Sequence, residues 1–221
     1  PVPGLPKDII AVQGGFDHTL ALTSKGQVWK WGRGAGTTPS VVSGLDHIIA
    51  ISSEGGTQSL VLKSDGTVWA WDAYGVPAKV AGLDHVIAIQ GRYASAYALK
   101  SDGTVWAWGG NSNGELGDGT TTSRTEPAQV TGLSHIASIH MGNMHGLALT
   151  DAGTVYAWGF NQMGQIGDGT NTNRLVPVQV PGLSHIKRIS AGDYNSFAQD
   201  ASGNIYSWGY NGDGQLGFGH N

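Results

Sequence analysis

The chemistry this sequence could perform would sit in four places: a Gly-Asn-Ser-Asn-Gly stretch at 110–114, a glycine-rich stretch at 212–217, an Asn/Asp-rich loop at 111–118, and eight histidines. Gly110-Asn111-Ser112-Asn113-Gly114 has the G-x-S-x-G spacing of serine hydrolases. That motif needs a sharp strand-to-helix turn to expose the serine hydroxyl. No helical period follows, and the equivalent stretches Phe160-Asn161-Gln162-Met163-Gly164 and Tyr210-Asn211-Gly212-Asp213-Gly214 lack the serine, so a turn is expected. Gly212-Asp213-Gly214-Gln215-Leu216-Gly217 has dinucleotide-loop spacing without the strand–loop–helix unit that would seat a pyrophosphate. Loop 111–118 lacks the alternating acidic ligands and terminal glutamate of a calcium site. Asx turns account for it.

Among the histidines, His47, His85, His135 and His185 recur at one phase, and His18 and His145 share another. Metal ligands must converge on one point. Repetition along an array points instead to a local hydrogen bond made in every repeat. The spacing of His135, His140 and His145 does not fit a helical zinc motif. No acid–base pair or nucleophile stands out, so the chain reads as a non-enzyme with neither cofactor nor metal.

What remains is variation laid over a constant frame. Gly-Leu followed by an Ile-rich run begins at Gly4, Gly44, Gly82, Gly132 and Gly182, and the paired aromatics Trp29/Trp31, Trp69/Trp71, Trp106/Trp108, Tyr156/Trp158 and Tyr206/Trp208 keep step with it. Self-similarity at this period signals an array or a propeller. The repeats run over about 4–43, 44–81, 82–131, 132–181 and 182–221 in a single repeat domain. In the fourth copy, Ile136–Ile139, Gly146–Thr150, Thr154–Gly159 and Pro177–Val180 read as four strands. Asp151-Ala152-Gly153, Ser64-Asp65-Gly66 and Ser101-Asp102-Gly103 read as hairpin turns in which glycine supplies a positive φ. Trp106 and Trp108 share one strand face, and Val105 and Ala107 the other. Sheets stacked against neighbours on both sides need such faces. Lys30 and Ser207 break the small face in the first and last repeats.

Composition narrows the function classes. With 39% apolar and 13% charged residues, the chain can bury a core. A net charge of −4 leaves no footprint for nucleic acid or an anionic membrane. There is no cysteine for disulfides or thiolate metal sites. No stretch approaches the ~18 apolar residues of a membrane span. The opening Pro-Val-Pro-Gly-Leu-Pro has no signal-peptide pattern.

Gly-x-x-His-x-x-Ala-Leu, Asp-Gly-x-Val-Tyr/Trp-x-Trp-Gly-x-Asn, Gly-Gln-Leu-Gly-x-Gly and Pro-x-x-Val, carried by residues such as His145, Leu149, Val155, Trp158, Asn161, Gln165 and Pro177, resemble the regulator of chromosome condensation repeat family. The resemblance implies an all-β propeller of four-stranded blades, normally seven. Here there are about five, either as a closed ring with residues 1–3 completing the last blade or as a segment of a seven-bladed propeller. An open segment would expose β edges that invite oligomerisation. Shorter repeats and aromatics at the Gly-centred turn are also similar to bacterial β-lactamase inhibitory protein II, which implies a protein-gripping face and favours a bacterial, extracellular or cell-surface setting.

The variable positions after that turn are Phe16-Asp17-His18, Gly56-Thr57-Gln58, Tyr93-Ala94-Ser95, Asn143-Met144-His145 and Asp193-Tyr194-Asn195. A second set follows the Trp-Gly element: Arg33, Tyr74, Phe160 and Tyr210. Aromatics and methionine in turns are frequent interface anchors. The expected partner-binding residues are therefore Phe16, Asp17, Tyr74, Tyr93, Met144, Phe160, Asp193, Tyr194 and Tyr210, and the expected function is protein binding. A structural segment of a larger bacterial surface protein, and a carbohydrate-binding or guanine nucleotide exchange module, are the alternatives.

Overall fold

The alternating pattern becomes strands throughout. The computed structural model describes residues 1–53, 56, 58–72 and 74–219. Gly55 and Thr57 of the second turn and His220 of the last loop lie outside them. The described residues form two compact units, 1–101 and 102–221.

In the first unit, β1 (Ile9–Gly14), β2 (His18–Thr23), β3 (Val28–Gly32) and β4 (Gly36–Val41) form one antiparallel sheet in chain order. A second holds β5 (Ile48–Ser52), β6 (Ser59–Lys63), β7 (Val68–Trp71) and β8 (Ala78–Lys79). The unit ends with the hairpin of β9 (Val86–Arg92) and β10 (Ser95–Lys100). The second unit opens with β11 (Val105–Gly109) paired to β12 (Arg124–Gln129). A four-stranded sheet of β13 (Ile136–Met141), β14 (His145–Thr150), β15 (Val155–Gly159) and β16 (Arg174–Gln179) follows, then a three-stranded sheet of β17 (Ile186–Ala191), β18 (Asn195–Asp200) and β19 (Ile205–Gly209). Residues 1–3 form no strand.

β16 begins three residues earlier than the pattern suggests. Its pairing with β15 skips from Ala157↔Val178 to Gly159↔Arg174, and this irregularity brings Arg174 into the ladder.

Each core lies between successive sheets. In the first unit Leu20, Leu22 and Val28 of one sheet meet Ile48, Ile51, Val61 and Trp71 of the next. In the second, Leu147, Leu149 and Val155 meet Ile186, Ala198 and Trp208. Every fully buried side chain of this size contributes roughly 1.5–3 kcal/mol. Front faces carry Leu/Val, and rear faces carry Ile and the second aromatic of each pair. Lys30 breaks the first front face as expected. It is 5% exposed, and burial pulls its ammonium below its ordinary pKa, against the attraction of Asp72 and Asp17.

The hairpin glycines do more than turn the chain. Gly26 and Gly153 have φ of 75° and 85°, and a Cβ on either would lie 2.9 Å from the amide nitrogen of Ile48 or Ile186 in the following sheet. The same amides donate to the Gly26 and Gly153 carbonyls at 3.2 and 3.3 Å. Opposite them sit His47 and His185, whose φ of 54° is left-handed for a non-glycine residue. His85 and His135 match at 52° and 55°. Their repetition therefore follows a backbone conformation. The carbonyls of His47 and His185 accept from the amides of Ser64 and Ala201, while the His47 side chain is largely exposed.

Candidate protein-binding surface

In the first unit the β1–β2 turn is fixed from both sides. The Gly15 amide donates to the His18 carbonyl at 2.8 Å, and the Phe16 amide donates to Gly56 of the next sheet at 3.1 Å. Gly56 in turn lies so close to the Tyr93 carbonyl that no Cβ fits between them. The first two turns are thus joined by a backbone hydrogen bond, and the third packs closely against the second. Phe16 stands 76% exposed on this rigid support, and Tyr93 is exposed at φ 52°. Asp17 turns inward: its carboxylate pairs with Arg33 Nε at 2.9 Å and sits 3.5 Å from His18 Nδ1, so it holds the turn rather than presenting an open carboxylate. Tyr74, 77% exposed, lies apart in the β7–β8 loop, where Asp72 Oδ1 accepts from the Tyr74 and Gly75 amides.

Beneath the turn, His18 is buried with Nε2 3.0 Å from Ser59 Oγ of the next sheet. Burial, helped by Lys30, holds the imidazole below its ordinary pKa, against the pull of Asp17. His145 Nε2 meets Ser196 Oγ at 2.9 Å in the same way. The shared phase of these two histidines therefore marks a hydrogen bond made to the next repeat, confined to the repeats that carry histidine there.

The second unit gathers four of the expected anchors. The Phe160 amide donates to the Met144 carbonyl at 2.8 Å, and the Tyr210 amide to the Tyr194 carbonyl at 2.9 Å. The Phe160 and Tyr194 rings meet edge-on with centroids 6.0 Å apart. Asn143 ties the turns together, its amide donating to Asp193 O at 3.2 Å and its Nδ2 to Tyr194 Oη at 3.3 Å. Met144 Sδ accepts from Asn113 Nδ2, and Asp193 is exposed beside the pair. The result is a half-exposed aromatic ridge anchored by main-chain bonds.

The long loops frame this ridge. Asn161 Oδ1 accepts from the Ile166 amide at 2.9 Å, while Nδ2 donates to the Thr170 and Thr172 carbonyls and to Asp168. Asn111 repeats the pattern around Leu116 and Asp118. Although burial opposes it, hydrogen bonds from the following Thr and Arg hold the Asp118 and Asp168 carboxyls below the usual range. These carboxylates are engaged by Arg124 and Arg174, the first residues of β12 and β16. Ser112 lies exposed in the turn expected of it, with a strand and no helix beyond.

The repeat itself is found in known proteins. The regulator of chromosome condensation (RCC1) repeat matches in one form at residues 102–149 and 152–199, and in another at 9–35, 80–115, 136–165 and 186–215, more than half the chain. The chain belongs to the RCC1 repeat family. Among solved structures, yeast RCC1 (Prp20) bound to Kap60 is 23% identical with a TM-score of 0.80 over 92% of this chain and 56% of that one. Prp20p from Saccharomyces cerevisiae, described with its binding to Gsp1p and histones, is 26% identical with a TM-score of 0.77 over 94% and 59%. Human WBSCR16 is 22% identical with a TM-score of 0.72 over 83% and 56%. These likenesses establish the β-propeller fold, and the chain spans less than three-fifths of the length of each. No curated protein sequence matches the chain.

Two elements of this RCC1-type scaffold escape the sequence pattern. Arg33 looks like a surface anchor until Asp17 is seen against it, and Asn113 and Asn143 carry the contacts that orient Met144 and Tyr194. The recurrence of Asn111, Asn161 and Asn211 at one phase signals the loop brace. No comparable repetition marks Asn143.

Proposed function

We propose that the chain is a non-enzymatic protein-binding propeller element that contacts its partner through turn-borne aromatics. In the second unit the contact is the ridge of Met144, Phe160, Tyr194 and Tyr210, with Asp193 as a polar partner. In the first, Phe16 and Tyr93 serve as anchors and Tyr74 as a peripheral contact. The observation that carries this reading is the exposure of Phe16 on a turn whose backbone is already tied to its neighbour. A side chain held this way loses little freedom on association, so more of its burial appears as affinity. The named partners of the yeast relatives, Kap60, Gsp1p and histones, are proteins, which supports the partner class.

The test compares capture of proteins from cell extracts by the parent chain and by a folded Phe16→Ala/Tyr93→Ala/Tyr194→Ala variant. A protein retained by the parent alone supports the reading. Equal retention, or none, refutes it.

A further inference from the structure

One backbone bond recurs in the first, fourth and fifth repeats, and it brings different chemistry together in each. The residue after the Trp-Gly element donates its amide to a carbonyl of the β-turn beside it: Arg33 to Asp17 at 2.8 Å, Phe160 to Met144 at 2.8 Å, and Tyr210 to Tyr194 at 2.9 Å. In the first repeat these two positions hold an ion pair, with Arg33 Nε 2.9 Å from the Asp17 carboxylate. In the fourth and fifth they hold aromatic rings and a thioether, and no cation. The place that the first repeat fills with its own guanidinium is therefore lined in the second unit by ring surface. Phe160 and Tyr194 are half-buried there, and Asp193 is exposed beside them.

The charge around this ridge is one-sided. Residues 102–221 carry nine carboxylates against four cations, whereas residues 1–101 carry seven against eight. Of the four cations, Arg124 and Arg174 are each held by a carboxylate of the preceding loop, Asp118 and Asp168. Lys187 and Arg188 lie in the first half of β17, and the 192–194 turn follows its other end. What the turns and loops of this end add beyond those two ion pairs is negative: Asp193 and Asp213, both exposed, and Glu115, buried with Oε2 accepting from the Asn113 amide at 2.7 Å. A surface whose fixed charges have one sign draws an oppositely charged partner toward it.

We propose that the ridge of the second unit takes an arginine side chain of its protein partner, the guanidinium lying on the Phe160 and Tyr194 rings with Asp193 as its counter-charge. The proposal rests on the reading of this ridge as a protein-binding surface and adds the chemistry of what binds. Aromatic faces attract cations. The guanidinium is planar and weakly hydrated, so it stacks on a ring and still donates to a carboxylate, which a lysine ammonium does less well. A partner arginine would supply in the second unit the cation that Arg33 supplies in the first repeat.

Fluorescence anisotropy of labelled peptides titrated with the full chain tests this, using a peptide with several arginines spaced by glycine and its lysine and glutamate counterparts. The arginine peptide should bind, the lysine peptide more weakly, and the glutamate peptide not at all. Tyr194→Ala and Phe160→Ala should each weaken the arginine peptide by about tenfold. Asp193→Asn keeps the main-chain carbonyl that accepts from the Asn143 amide, and should weaken binding and flatten its salt dependence. Asp151→Asn makes the same charge change in the hairpin turn at the other end of β14 and should alter neither. No binding of the arginine peptide, equal binding of the lysine peptide, indifference to Tyr194→Ala and Phe160→Ala, or equal effects of Asp193→Asn and Asp151→Asn would each overturn the proposal. If the ridge captures a protein from extracts and the arginine peptide does not compete for it, protein binding stands and the arginine proposal falls.

Discussion

Replacing Trp158 by phenylalanine isolates the hydrogen bond between one repeat's loop and the next repeat's strand. The indole is 0% exposed and its Nε1 donates to the Glu115 carbonyl at 2.8 Å. Phenylalanine keeps an aromatic ring in place but leaves that carbonyl without its donor. An unsatisfied buried group costs about 1–3 kcal/mol. Trp158→Ala removes the ring as well and should cost about 3–5 kcal/mol, as large-to-small aromatic substitutions in cores do. Urea unfolding followed by far-ultraviolet circular dichroism measures both. With a slope of about 2 kcal/mol per molar urea, Trp158→Phe should lower the midpoint by roughly 0.5–1.5 M at unchanged slope. Stability in repeat arrays is a sum of local and neighbour terms, so amide exchange should accelerate first in loop 111–120 and β14–β15. If Trp158→Phe matches the parent to within ~0.5 kcal/mol, the range of neutral surface substitutions, the bond does not couple the repeats.

Other outcomes follow from the same geometry. His18 has a folded-state pKa below its unfolded value, so the unfolded chain binds the proton first; stability should fall as pH drops below about 6.5 and continue falling until the folded-state pKa is passed, and His18→Gln should flatten this slope in pH-dependent melting. Asn161→Ala strips the Ile166 amide and two carbonyls of their buried partner and should cost about 3 kcal/mol in urea titration, the order of one or two unsatisfied groups. Phe16→Ala should change stability by less than ~0.5 kcal/mol while weakening partner capture, because the ring is exposed but its backbone bond is kept. Gly153→Ala should destabilise strongly in thermal unfolding, since both the positive φ and the Ile186 amide exclude a Cβ.

Sequence periodicity exposes whatever every repeat needs, and conceals what passes between repeats. The Trp pairs, the hairpin glycines and the loop asparagines are legible because each acts at one phase in each copy that has it. Ser59 and Ser196 are not, because the partner of a periodic histidine lies one repeat away, at a position holding Thr19, Ala96 or Gly146 elsewhere. His47 and its counterparts repeat visibly, but the reason is a backbone torsion, which residue type alone does not report. At the candidate surface, the turns and their aromatics are readable. The inward turn of Asp17 and the edge-on meeting of Phe160 with Tyr194 depend on distances that only the folded chain supplies.

The seat formed by one repeat's loop for the next repeat's tryptophan bears on how such proteins grow over evolutionary time. Because each long repeat carries a seat at its end and a tryptophan for the preceding seat, tandem duplication of one whole repeat inserts a unit whose two boundaries are already matched. The newcomer needs no compensating substitutions at either neighbour. Loss of the loop, as in the first two repeats, forfeits one hydrogen bond while the aliphatic front and rear faces still cover Trp71. Duplication of a whole long repeat therefore keeps the loop-to-tryptophan contact at both of its boundaries.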